Sequence, residues 1–105
     1  MKATIKIGDS FAVPIQFYDT KTNLGMMLND DMKISATIIN SSQHVIAKPV
    51  VTLLEQAGMI LLEVPVSITK DWKIGTAQLD IKLEINDRVR HSENIQFQIL
   101  RSITA

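Results

Sequence analysis

Three short strings in this 105-residue sequence hold the residue types from which a hydrolytic or metal site is built. Gly8-Asp9-Ser10 follows an alternating apolar segment, where the end of a strand would present the serine as a nucleophile. Such a serine needs a base and an orienting acid, and the candidate pair, Asp87 and His91, stands four residues apart late in the chain. Gly, Asp and Ser are also what a tight turn selects, and the string is read as a turn. His91-Ser92-Glu93 contains triad residue types, but neighbours on an extended strand point to opposite faces, so Ser92 cannot meet both flanking side chains. His91 and Glu93 share a face and are expected to pair on it. Asn29, Asp30 and Asp31 offer oxygen ligands without the spacing of a calcium loop, and His44 and His91, in a chain without cysteine, make no zinc set. Gly8, Gly25, Gly58 and Gly75 are scattered, so no phosphate-binding loop exists. The expectation is a protein with no catalytic residue, no metal ligand and no cofactor.

The elements that would carry these residues are strands. Apolar side chains recur at every second position: Phe11, Val13, Ile15 and Phe17, then Ile34, Ala36 and Ile38, then Ile60, Leu62 and Val64. The longest run, Ala77, Leu79, Ile81, Leu83 and Ile85, alternates with Gln78, Asp80, Lys82 and Glu84, and Ile95, Phe97 and Ile99 close the series. One buried and one wetted face per strand is the antiparallel pattern. The expected fold is an all-β, immunoglobulin-like antiparallel sandwich of roughly seven or eight strands with one short helical turn, filling residues 1–105 as a single domain. A closed barrel would show the same periodicity. Either scaffold is wrong for the serine hydrolases that Gly8-Asp9-Ser10 resembles, which need a parallel α/β sheet and a late Asp-x-x-His.

Punctuation fits this plan. Gly8-Asp9, Asn40 to Ser42, Gln56 to Gly58 and Asn86-Asp87 carry turn chemistry, with Gly58 expected at positive φ and Asn86-Asp87 joining the two long late strands. Pro14 and Pro65 lie within strand patterns, which predicts edge strands at both. Ser67 to Trp72 breaks the alternation and reads as a helical turn crossing between sheets, with Ser67 as its N-cap. Trp72 either plugs one end of the core or anchors a partner. Thr20 to Asp31 is the longest irregular stretch, and its Met26, Met27 and Leu28 either cover the core or offer a plastic contact surface.

Composition narrows the functions. Eleven basic residues balance eleven acidic ones, so no field draws the chain to nucleic acid or to an anionic membrane. Lys6 and Asp9 interrupt the opening segment, which predicts neither a signal peptide nor a membrane span, and the longest apolar stretch, Met59 to Leu62, is far too short to cross a bilayer. The absence of cysteine favours an intracellular or virion-borne protein. Phe11, Phe17 and Phe97 fall on core faces, leaving only Tyr18 and Trp72 for any carbohydrate platform.

The order of segments is similar to the N-terminal immunoglobulin-like domains of phage tail and baseplate proteins, of the kind found in baseplate upper proteins. The resemblance runs through KIGDSFAVPIQFYD, the loop ending LND before MKISATI, the hairpin EQAGMILLEVP, ITKDWKIGTAQLDIKLE, and the closing ENIQFQILRSIT. It implies a non-catalytic phage or prophage structural protein, a tail, baseplate or accessory virion component, cytoplasmic before assembly. Its partners would be other virion proteins or copies of itself in a homo-oligomer, and its contacts would come from the Thr20 to Asp31 loop with Met26, Met27 and Leu28, from the edges at Pro14 and Pro65, and from Trp72. The alternative is a cell-surface or periplasmic adhesion or carbohydrate-binding module, which calls for a signal segment and aromatics on a wet face.

Overall fold

A computed structural model describes residues 3–18, 32–85, 87–92 and 94–103. These residues form an all-β sandwich of two sheets. The strands are β1 (Ala3–Lys6), β2 (Phe11–Gln16), β3 (Met32–Asn40), β4 (Val45–Ala47), β5 (Val50–Leu53), β6 (Met59–Val64), β7 (Gly75–Ile85), β8 (Arg88–His91) and β9 (Ile95–Leu100), with a single helical turn α1 (Val66–Thr69) between β6 and β7. One sheet runs β1-β9-β7-β3-β4, with β8 also on β7, and the other runs β2-β6-β5. All pairings are antiparallel except β1 with β9. In chain order this is the distribution of an immunoglobulin-like sandwich: β2, β6 and β5 occupy the B, E and D places, and β3, β7 and β9 those of C, F and G.

Alternation builds the core as expected. Phe11, Ile38, Ile60, Leu62, Val64, Ala77, Leu79, Ile81, Phe97 and Ile99 are buried between the sheets, and Val13, Ile15, Phe17 and Ile34 pack against them. Gly58 takes φ of 78°, and with the Met59 N–H donating to the Gln56 carbonyl it closes the β5–β6 hairpin.

The strand count exceeds expectation because three short strands lack an alternating signature of their own. β4 has only three residues, β5 exposes most of its length, and β8 reads Arg-Val-Arg-His. The segment after Ile85 therefore does not join two long strands. It leads to β8, and the long β7 carries β8 on its second half and β9 on its first. Between these halves Lys82 faces His91 whereas Leu79 faces Ile95, so one strand advances four residues while the other advances three. This β-bulge is bridged by Ser92, whose N–H donates to the Ile81 carbonyl (2.8 Å) and whose Oγ accepts the Ile81 N–H (3.1 Å).

Of the two proline expectations the topology bears out that for Pro14 and overturns that for Pro65. β2 is an edge, and the Phe17 N–H bond to the Gly58 carbonyl (2.8 Å) sets the odd-numbered residues of β2 against β6. Pro14 thus points its missing donor outward and costs no ladder bond. Pro65 is different: it follows β6, the central strand of its sheet, and occupies the N-cap position of α1. Ser67 is accordingly inside the helical turn and not its cap, and no side chain caps it.

Candidate interaction surfaces

Trp72 follows α1 and is 6% exposed. Its ring meets Phe11 edge-on at 6.1 Å and Phe97 at 6.1 Å, and its Nε1–H donates to the Ile46 carbonyl at 3.2 Å. With the ring largely covered and its donor engaged, Trp72 takes the first of its two expected places, as a plug at one end of the core. Met26, Met27, Leu28 and the whole Thr20 to Asp31 segment lie outside the described residues.

The same end of the sandwich explains Gly8-Asp9-Ser10. Gly8 adopts φ of 88°, the Asp9 N–H donates to the Lys6 carbonyl (3.0 Å), and Asp9 Oδ2 accepts the Lys6 N–H (3.1 Å). The string is a turn between β1 and β2, held to α1 by Thr69, which is fully buried and donates its Oγ1–H to the Asp9 carbonyl at 2.7 Å. Sequence reasoning looked for a capping role at Ser67 and missed Thr69, two residues on.

His91 sits on the outer face of the larger sheet, where the bulge at Ser92 has turned it. Its Nδ1 lies 2.8 Å from Asp80 Oδ2, across the strands, with both side chains over a third exposed. Glu93, its expected partner, lies outside the described residues. The pair lines a shallow depression with Thr37, Gln78 and Asn94, and Asn94 Nδ2 donates to Gln78 Oε1 at 3.5 Å. Among the described residues no three His, Asp or Glu side chains gather as metal ligands, and no helix is long and apolar enough to cross a membrane.

A second opening lies between the sheets at the β1 and β2 edges. It encloses about 250 Å³, lined chiefly by Ile5, Phe11, Val13, Ile15, Ile95 and Phe97. It is a continuation of the core toward solvent, with Asp9 and Ser10 at its rim.

The outer faces of the two sheets differ sharply. On the larger sheet the outward rows read Lys33-Glu84-Val89, Ser35-Lys82-His91 and Ile39-Gln78-Gln96, with Gln98 Nε2 donating to Thr76 Oγ1 (2.9 Å) and Lys82 Nζ 3.2 Å from Glu84 Oε1. On the smaller sheet the rows read Ala12-Glu63-Val50, Pro14-Leu61-Thr52 and Gln16-Met59, the last row extended by Leu54 through its N–H bond to the Met59 carbonyl. Glu63 is the single ionisable side chain in those rows. Val50 is 60% exposed and Leu54 39%. The signal for this surface was in the sequence: Met59-Ile60-Leu61-Leu62 is apolar on both parities, so a strand that buries Ile60 and Leu62 must turn Met59 and Leu61 outward.

No protein-family model matches the chain, and no curated protein matches it.

Proposed function

We propose that this chain is a non-catalytic assembly module, a phage or prophage structural protein of the tail, baseplate or accessory virion kind. The observation that carries the assembly part is the apolar outer face of the β2-β6-β5 sheet, since a sheet turned to water on one side ordinarily alternates to polar residues there. The phage part rests on the order of sequence segments that resembles baseplate immunoglobulin-like domains. Zero formal net charge suits a subunit that packs against others and does not steer toward polyanions. The test is quantitative mass spectrometry on particles purified from induced cells of the source organism. Fixed proportion to the major capsid protein is expected, and absence from particles removes the virion role.

A second reading, a carbohydrate-binding module, draws on the depression around Asp80 and His91, where Thr37, Gln78 and Asn94 add hydrogen-bonding groups suited to sugar hydroxyls. It lacks an exposed aromatic platform there, and glycan-array binding abolished by Asp80→Ala would favour it over assembly.

A further inference from the structure

Resting on the assembly reading, we propose that two copies of this chain dock through the outer faces of their β2-β6-β5 sheets, about a two-fold axis that crosses the strands at the Pro14-Leu61-Thr52 row. On this face Val50 and Leu54 are exposed and Met59 and Leu61 half-buried, the Tyr18 hydroxyl donates to Gln16 Oε1 at one end (3.0 Å), and the middle row places Leu61 between Pro14 and Thr52. A partner with a charged surface would find only Glu63 to answer it, whereas a second copy matches the face apolar for apolar.

Charge selects the axis. A two-fold axis running along the strands would set Glu63 against its own copy, two like charges in a desolvated contact. An axis across the strands reverses β6 on its copy, so Leu61 meets Leu61 and Glu63 lies over the copy's Met59, one strand from the Gln16 amide. This is the aligned face-to-face packing that two sheets ordinarily adopt. The formal net charge of zero leaves no long-range repulsion between copies.

Area sets the strength. Two strands of six residues and one of four make a face of at most about 15 by 20 Å. That is well below the roughly 800 Å² per partner of a stable complex, so the contact is of the weak, transient class. A weak self-complementary contact becomes effective when subunits are held side by side in a larger particle.

Sedimentation equilibrium of the whole chain up to about 2 mM, where a dissociation constant of about 1 mM still pairs more than half of the chains, reads the equilibrium. The wild type is expected to dimerise reversibly. Leu61→Lys is expected to raise the dissociation constant by on the order of a hundredfold or more, because a symmetric contact suffers the change twice. Circular dichroism and thermal melting of the same variant show that it is folded. The chain has no cysteine of its own, so Thr52→Cys, on the axis row, is expected to be joined to its copy by a short bis-maleimide, and Gln96→Cys, on the outer face of the other sheet, is not. A wild type that stays monomeric, or a folded Leu61→Lys that dimerises equally well, overturns the proposal. The particle stoichiometry is read separately: a monomer present in particles passes this face to a different virion protein, and a dimer absent from particles keeps the self-docking while removing the virion role.

Discussion

The two sheets solve the same packing problem and treat water differently. Each buries its inward row, Ile60, Leu62 and Val64 on β6 and Ala77, Leu79, Ile81 and Leu83 on β7. Outward, β7 shows Gln78, Asp80, Lys82 and Glu84, which are cross-linked by hydrogen bonds and an ion pair, while β6 shows Met59 and Leu61 with Glu63 at one end. The larger sheet meets the requirements of a solvated sheet by itself. The smaller one leaves apolar side chains at positions where a solvated sheet ordinarily alternates to polar ones, and this is the ground of the proposed contact.

The sharpest way to break this comparison is on β6 itself, where neighbouring leucines face opposite ways. Leu62→Ala empties a site that is 0% exposed and is expected to cost about 2–5 kcal/mol, the transfer and cavity terms together. Leu61→Ala removes the same atoms from the outer face and is expected to cost less than about 1 kcal/mol in dilute solution. Urea unfolding followed by the fluorescence of Trp72, the sole tryptophan, measures both. Equal losses would mean that Leu61 is covered within the monomer.

Next in size is the joint that fixes the sheets at the Trp72 end. Thr69→Val keeps the shape of a fully buried side chain but removes the donor to the Asp9 carbonyl, and a loss of about 1–3 kcal/mol is expected from the unsatisfied acceptor. Gly8→Ala in the same turn meets no atoms within 4 Å but must hold φ of 88°, so a loss of about 1 kcal/mol is expected from the backbone alone. Both are read from urea midpoints at unchanged slope.

The sequence made the sandwich legible because its alternation is long where the strands are long: β7 and β9 show their inward rows without ambiguity. It hid β4 and β8, since three residues cannot show a period and Arg88, Val89, Arg90 and His91 bury nothing. It also hid the bulge at Ser92, which exchanges inward and outward parity and brings His91 to Asp80. Pro65 was misplaced because a proline after Val64 looks the same whether the strand continues at an edge or stops at a helical turn. The outer apolar face was visible in Met59 to Leu62, but a short apolar run read for its length says only that it spans no membrane. Read for parity, it says that both faces of that strand avoid water.

The smallest effect tests the polar side of the comparison. Asp80 and His91 are both more than a third exposed, so their contact exchanges water for a partner at little net gain, and an exposed pair contributes about 0–1 kcal/mol. Asp80→Asn keeps an acceptor near Nδ1 and is expected to leave the urea midpoint almost unchanged, with any small difference vanishing as salt is raised. It is also expected to leave sedimentation unchanged, because its side chain lies on the sheet opposite the proposed contact. A clear loss of self-association in Asp80→Asn, without loss of stability, would transfer the contact to the larger sheet and remove the reason for treating its polar face as one already satisfied by water.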